Sequence, residues 1–190
     1  MDDRGLRSAM VEPERLPPER PFALRAVVYT LGFLILILGV VPSVFYLLGE
    51  VPFSDVPVGQ QIRGFWIAFR GLVGIAVFSA GLAGYLFCSA WLIGIGRGPH
   101  VEFDPPKVFV ASGPYRWVRN PVVITLMLVV IGEAIYFASV GIALLVLLGL
   151  PLAQYQVTKI EEPRLKARFG ESYEEYLRRV PRWLPRRPVD

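Results

Sequence analysis

The apolar residues of this chain come in long blocks, and nearly all of its charges lie between those blocks. The blocks cover residues 23–48, 65–95 and 121–158. A membrane-spanning helix needs about 20 apolar residues in succession, and a soluble domain of this size could not bury blocks of that length. With 54% hydrophobic residues in a chain of 190, the sequence predicts an all-α integral membrane protein.

The third block is too long for a single span. It divides at the sequence ASVG, residues 138–141, where small residues interrupt the run of large apolar side chains. Two short helices joined as a hairpin then fill the block. We therefore expect a bundle of four transmembrane helices, in which the third and fourth form the hairpin.

The basic residues support the same number of spans. Five arginines lie in the tail that ends at Arg25, four basic residues lie in 97–119, and nine follow from Lys159 onward. The loop 49–64 carries one basic residue, and the hairpin tip carries none. With four spans, all three basic segments fall on one side, as the positive-inside rule requires. We expect both termini in the cytoplasm, and we assign the protein to the inner membrane of a bacterial or archaeal cell.

Composition excludes several other functions. The single Cys88 and the single His100 provide neither a disulfide framework nor a zinc-type cluster, so no metal is expected. The net charge of +4 comes from residues that flank apolar blocks, which is the pattern of membrane orientation rather than of nucleic-acid binding. Four short spans without inverted repeats also argue against a transporter. The oligomeric state stays open.

Two charged residues lie within the lipid-spanning blocks, where an unpaired charge is costly. Arg70 is about two turns into the second helix, and Glu133 is about one turn from the outer end of the third. Because these depths agree to within a turn, we predict an intramembrane ion pair between Arg70 and Glu133. The alternative is that these residues contact a substrate.

The segment 113–121, GPYRWVRNP, leads directly into the third helix. Asn120 is a typical N-cap residue and Pro121 is favoured at the first helical position, so we expect the helix to begin there. The free backbone N–H groups of its first turn then face the cytoplasmic interface. Arg116 and Arg119, three residues apart, are expected on one side of the same segment.

This segment has two interpretations. A helix N-terminus together with two guanidinium groups is a good site for a carboxylate or a phosphate. Tyr115 and Trp117, however, are also typical of an anchor in the lipid headgroup region. The segment alone does not decide between a binding site and an anchor.

An acidic pair, Glu161 and Glu162, follows the fourth apolar helix. Carboxylates at a helix C-terminus oppose the helix dipole and repel each other, so a nearby cation is expected. The hairpin returns this pair to the membrane face that carries Arg116 and Arg119. The groups then form either a salt-bridge cluster or a site with a cationic and an anionic wall, which suits a zwitterion. If Pro163 instead opens a new helix, the acids keep the same membrane level.

The C-terminal region has apolar residues at helical spacing, namely Leu165, Phe169, Tyr173, Tyr176 and Val180. The spacing predicts an amphipathic helix on the membrane surface or over the bundle. We interpret the aromatic stripe as a packing surface rather than a cofactor-binding motif.

In combination, these segments resemble a known group of enzymes. The order VFVASGPYRWVRNP, helical hairpin, EEPRLKARFGESYEEYLRRVPRWLP is similar to the isoprenylcysteine carboxyl methyltransferases and their phospholipid methyltransferase relatives. The resemblance covers about residues 97–185, roughly half of the chain. It implies an integral membrane methyltransferase that uses S-adenosyl-L-methionine. The chain then consists of a flexible tail (1–22), transmembrane helices 1 and 2 (23–96), the methyltransferase-like cofactor-binding region (97–185) and a short tail (186–190).

The resemblance also implies which residues contact the cofactor, and the sequence pattern adds two arginines. The implied residues are His100, Lys107, Val108, Phe109, Val110, Tyr115, Asn120, Pro121, Val122, Val123, Glu161 and Glu162, and the added ones are Arg116 and Arg119. Glu161 is the better candidate for the ammonium group of the cofactor. No residue is assigned as a general acid or base.

The chain departs from the family pattern at a few positions. Asn120 stands where the family often has His, and Val122 and Val123 replace a small residue followed by Tyr. The stretch 155–158 lacks the Arg with which the prenylcysteine branch binds its substrate carboxylate. We therefore expect the methyl acceptor to be a lipid or a small lipophilic molecule that enters from the bilayer. Whether its oxygen, nitrogen or sulfur is methylated stays open. A non-catalytic scaffold that binds lipid headgroups is the alternative.

Overall fold

The fold is taken from a computed structural model that describes residues 20–49, 60–96 and 108–187. Six α-helices account for most of these residues, and no strand occurs in the three described ranges. The helices are α1 (Arg20–Leu34), α2 (Val41–Leu48), α3 (Gln60–Gly96), α4 (Pro121–Phe137), α5 (Val140–Tyr155) and α6 (Glu162–Arg179). The predicted all-α class is confirmed. Most of the predicted tail 1–22, with His100 and Lys107, lies outside the described residues.

Three helical stretches are long and apolar enough to cross a membrane. They are Ala26–Leu48, Arg63–Gly96 and Val140–Arg179. The remaining apolar helix, α4, has 17 residues and is shorter. By length and composition, these three stretches could therefore cross a membrane. In the last of them the apolar residues lie in α5, whereas α6 is rich in charged residues. A crossing by α4 remains a prediction.

Of the prolines that lie within helical rods, two stand next to a π-helical segment. Pro42 and Pro163 each follow, after one intervening residue, a six-residue π-helical segment, Ile35–Val40 or Gln156–Glu161. A proline removes one backbone donor and crowds the preceding turn, and a wider π turn accommodates both effects. The backbone is therefore helical from α1 into α2 and from α5 into α6. The acidic pair does not end a helix, as its first interpretation required, because the rod runs through it.

The predicted hairpin between α4 and α5 is confirmed. Ala138 adopts a left-handed conformation (φ 49°) that ends α4. The hydroxyl of Ser139 then accepts a hydrogen bond from the backbone N–H of Ile142 at 3.2 Å and caps α5. A Cβ on Gly141 would lie 1.9 Å from the carbonyl oxygen of Phe45, so only glycine allows α2 to approach the start of α5 this closely.

Helices α3 and α4 are antiparallel and pack with their backbones close together. A Cβ on Gly81 would lie 2.7 Å from the backbone nitrogen of Val129, and one on Gly132 would lie 2.5 Å from that of Phe78. Small residues at such positions allow the backbones of two membrane helices to approach each other closely. This contact fixes which residues of the two helices lie at the same depth.

The predicted ion pair between Arg70 and Glu133 is wrong. Because Gly132 faces Phe78, Glu133 is level with Val77 and lies about two turns, roughly 10 Å, from Arg70 along the helix axis. Within the described ranges, Arg70 Nε and Glu133 Oε2 are each buried without a hydrogen-bond partner. The prediction failed because depths were counted from the ends of apolar blocks, whereas the glycine contacts set the register.

Candidate functional site

The segment 108–120, which we call the site loop, lies against the C-terminal end of α3. The indole Nε1 of Trp91 donates a hydrogen bond to Ser112 Oγ at 3.2 Å. The hydroxyl of Tyr115 donates to the carbonyl oxygen of Cys88 at 3.5 Å, and the Tyr115 side chain is buried. The site loop is thus fixed to the helix before it by both polar and apolar contacts.

Gly113 is required at the turn of the site loop. Its φ is +59°, in the region that favours glycine, and a Cβ there would lie 2.3 Å from the Trp91 ring. A larger residue would be strained in its backbone and would collide with the indole. The first residue of GPYRWVRNP therefore allows the segment to turn beside α3.

Helix α4 begins at Pro121, as predicted, but Asn120 does not cap it with its side chain. Instead, Asn120 Nδ2 donates a hydrogen bond to the carbonyl oxygen of Arg182 at 3.2 Å. The Asn120 side chain therefore binds the C-terminal segment, and no backbone N–H group of the first turn of α4 donates to its side-chain oxygen. The prediction of the helix start is confirmed, and that of the side-chain cap is wrong.

One carboxylate at the start of α6 binds two guanidinium groups. Glu162 Oε1 accepts a hydrogen bond from Arg119 Nη1 at 2.8 Å. Arg182 binds the same carboxylate with two bonds, from Nε to Oε1 at 2.8 Å and from Nη2 to Oε2 at 2.9 Å. The hydrogen bond to Glu162 raises the pKa of Arg182 above its ordinary value. Of the two alternatives for the arginine segment and the acidic pair, the salt bridge is present between Arg119 and Glu162.

This ion cluster of Arg119, Glu162 and Arg182 is mostly shielded from water. The side chains of Arg119 and Glu162 are 13% and 14% exposed, and that of Arg182 is 29% exposed. With two cations and one anion, the cluster carries one excess positive charge. Arg119 Nε is buried and has no hydrogen-bond partner in the described part of the chain.

The other acid, Glu161, and the other arginine, Arg116, are exposed. Burial is the main cause that raises the pKa of Tyr115, Tyr173 and Tyr176, and the negative charge of Glu161 raises each of them further. Glu161 therefore lies near these three phenols, where the site loop meets α6. The two members of the acidic pair have different environments.

The aromatic stripe of α6 packs around one residue of the site loop. The ring centroid of Phe109 lies 5.1 Å from that of Tyr176 and 5.6 Å from that of Tyr173, both edge to face. The Tyr176 hydroxyl also donates a hydrogen bond to the carbonyl oxygen of Tyr115 at 2.8 Å. The interpretation of the stripe as a packing surface is confirmed, and its partner is the site loop.

Helix α6 is not one straight helix. Gly170 has φ 55° and ψ −129°, which breaks the helical rod in the middle. Lys166 and Glu174, on either side of the break, form an ion pair at 2.7 Å. The predicted placement of this region on the membrane surface remains a prediction.

Residues 180–187, which we call the C-terminal strap, return along the site loop. The backbone N–H of Arg119 donates to the carbonyl oxygen of Pro181 at 2.9 Å, and that of Arg186 donates to Trp117 at 3.0 Å. Together with the bonds made by Arg182, these contacts hold the strap on the site loop. Sequence reasoning missed Arg182, although the cation expected beside the acidic pair could have been sought in the basic C-terminal sequence.

The predicted site residues therefore fall into distinct environments. The buried ones are Val110, Tyr115, Asn120 and Pro121, and the exposed ones are Arg116 and Glu161. Those of intermediate exposure are Val108, Phe109, Arg119, Val122, Val123 and Glu162. No group of three His, Cys, Asp or Glu residues that could hold a metal occurs in the described ranges.

The apolar helices and the polar site at the junction of α3, α4 and α6 define a helical membrane protein. Its family is equally clear: the chain belongs to the phospholipid methyltransferase family, whose sequence model matches residues 69–172. This range contains most of α3, the site loop, the hairpin and the acidic pair, and it confirms the resemblance found in the sequence. Comparison with curated proteins and with solved structures gave no match.

Proposed function

We propose that this protein is an integral membrane methyltransferase that uses S-adenosyl-L-methionine and methylates a lipid or a small lipophilic acceptor entering from the bilayer. The observation that carries the proposal is the ion cluster, in which Glu162, the sequence neighbour of Glu161, binds Arg119 and Arg182. Arg119 and the acidic pair lie within the part of the chain that matches the family. An anionic and a cationic group next to each other suit the amino-acid end of this cofactor. When bound, the cofactor supplies an electrophilic methyl group.

The residues present fit the cofactor at both of its ends. Glu161 would bind the ammonium group, while Arg116 and Arg119 would bind the carboxylate, since Arg119 Nε is a buried donor without a partner in the described ranges. The first backbone N–H groups of α4 would add to the anion site. The apolar side chains of Val108, Phe109, Val110, Val122 and Val123 would surround the adenosine.

In this proposal, the chain acts mainly by holding the reactants. A fixed site loop would keep the acceptor in line with the methyl group, and the surrounding apolar residues would exclude water. Near the acidic pair, α5 carries the exposed apolar residues Leu152 (67%) and Tyr155 (61%). These residues would face lipid and would give a lipophilic acceptor a lateral route to the site. His100 and Lys107 remain proposed cofactor contacts.

We further propose that α4 crosses the membrane as a fourth span. Its 17 residues would extend about 25 Å, which is enough for a thin or locally adapted bilayer. In a bacterial or archaeal inner membrane, both termini and the site would then lie on the cytoplasmic side. The first two spans would lie within 23–96, and the region 97–185, which follows them in the chain, would bind the cofactor. Reporter fusions at the termini and at residue 138 would test this arrangement.

The test is equilibrium binding of S-adenosylhomocysteine to the purified protein in detergent. We expect a Kd on the order of micromolar that weakens at least about tenfold in Glu161→Gln, since a charge-assisted bond to the ammonium is lost. Glu171→Gln, at another exposed position, is the matched control and should bind as the wild type does. Absence of binding by a folded wild-type protein would favour a non-catalytic member of the family.

The acceptor can be sought with the same preparation. Incubation of the protein with lipid extracts and a cofactor that carries a deuterated methyl group would label the product, and mass spectrometry would identify it. We expect a labelled lipid or lipophilic molecule whose formation is lost in Glu161→Gln. Labelling that persists in this variant would contradict the role assigned to Glu161.

A further inference from the structure

On the basis of the proposed function, we infer that Arg182 is a positioning residue of the cofactor site. It shares the Glu162 carboxylate with Arg119 and so leaves Arg119 able to bind the carboxylate group of a zwitterionic ligand. Glu162 is then an anchor of the ion cluster and not itself a ligand of the cofactor. Arg182 belongs to the C-terminal strap and lies beyond the range matched by the family.

The geometry of the ion cluster supports this role. Arg182 binds both oxygens of Glu162, at 2.8 and 2.9 Å, whereas Arg119 binds one oxygen through Nη1 at 2.8 Å. A bidentate arginine is the stronger partner of a carboxylate. Because Arg182 takes this position, Arg119 is restricted to a single bond, and its buried Nε has no partner among the described residues.

The charges lead to the same conclusion. Glu162 neutralises one of its two arginines, so the ion cluster keeps one positive charge in a mostly shielded place. Without Arg182, Glu162 would be free to bind Arg119 with both oxygens and would neutralise it. The net positive charge that attracts an anionic group would then fall to zero. The negative charge of Glu161 would remain and would repel that group.

Arg182 is also held in place by its own main chain. Its carbonyl oxygen accepts the hydrogen bond from Asn120 Nδ2 at 3.2 Å, and the preceding Pro181 accepts one from the backbone of Arg119 at 2.9 Å. These bonds do not depend on the Arg182 side chain. A substitution at this position therefore removes the guanidinium while the strap keeps its backbone contacts with the site loop.

The test compares two ligands that differ in the amino-acid group. S-adenosylhomocysteine carries a carboxylate and an ammonium, whereas 5′-methylthioadenosine has the same nucleoside and sulfur without them. We expect Arg182→Ala to weaken binding of S-adenosylhomocysteine about tenfold and to leave binding of methylthioadenosine within about twofold. Arg186→Ala is the matched control, because Arg186 is exposed and contributes its backbone N–H to the strap. It should leave both affinities unchanged.

The outcomes separate this inference from the proposed function. Suppose that Glu161→Gln weakens S-adenosylhomocysteine binding, while Arg182→Ala changes the affinities for both ligands by the same factor or leaves both unchanged. The inference is then overturned, and the proposed function stands. If the wild type binds no S-adenosylhomocysteine, both are overturned. If Arg182→Ala does not fold, Arg182→Gln replaces it, and an unchanged ratio of the two affinities in that variant would also overturn the inference.

Discussion

Arg119 and Glu162 are 43 residues apart in the chain and are joined by a hydrogen bond of 2.8 Å between Nη1 and Oε1. This bond ties the segment before α4 to the first residue of α6. It places the arginine segment and the acidic pair in one site, although a helical hairpin separates them in sequence. Both side chains are largely shielded from water, so we expect the bond to contribute to the stability of the fold.

The first prediction concerns the stability that this carboxylate provides. Glu162→Gln removes the charge that holds two buried or half-buried arginines, so we expect the free energy of unfolding to fall by about 2 kcal/mol. Thermal unfolding in detergent, followed by tryptophan fluorescence, would measure it. Glu175→Gln is the control, since Glu175 pairs with Arg179 at an exposed position and should cost less than about 0.5 kcal/mol. Equal effects of both substitutions would contradict the prediction.

The second prediction concerns Gly113. Gly113→Ala places a Cβ at a positive φ and against the Trp91 ring, so we expect a loss of about 2 kcal/mol or more. Ligand binding should weaken as well, because the site loop would shift away from α3. Gly94→Ala is the control, since Gly94 is helical with open space around it and should change stability by less than about 1 kcal/mol. A fully stable Gly113→Ala protein would show that this turn is dispensable.

The third prediction follows from the separation of Arg70 and Glu133. Because the two side chains do not pair, Arg70→Gln and Glu133→Gln should have additive effects on unfolding, with a coupling energy below about 0.5 kcal/mol. Measured stabilities of the wild type, both single variants and the double variant would give this value. A coupling of about 2 kcal/mol or more would indicate an ion pair.

The fourth prediction concerns alkaline pH. Burial raises the pKa of Tyr173 and Tyr176, so the folded protein keeps these phenols neutral where the unfolded chain loses their protons. The stabilising effect is complete below the ordinary phenol pKa of about 10 and is lost as pH rises above it. Unfolding measured from pH 9 to 11 should show a shallower decline in Tyr173→Phe than in the wild type. Tyr155→Phe, at an exposed position, is the control, and identical slopes in all three proteins would refute the prediction.

Much of the helical architecture follows from the sequence alone. Apolar blocks separated by charges determine which segments are helical, because a backbone in lipid must satisfy its own hydrogen bonds. The hairpin turn at residues 138–141 and the start of α4 at Pro121 depend on neighbouring residues and were predicted correctly. The stripe of α6 that includes Tyr173 and Tyr176 was likewise recognised as a packing surface from its spacing.

Contacts between distant segments could be decided only by the tertiary structure. The register of α3 and α4 depends on where glycines such as Gly81 and Gly132 let two backbones meet, and this separated Arg70 from Glu133 by about two turns. The partners of Glu162 depend on the C-terminal strap returning to the site loop, which no local pattern specifies. Local hydrogen bonding and hydropathy therefore determine the helices, whereas close packing and ion pairing between remote segments decide how the candidate site is assembled.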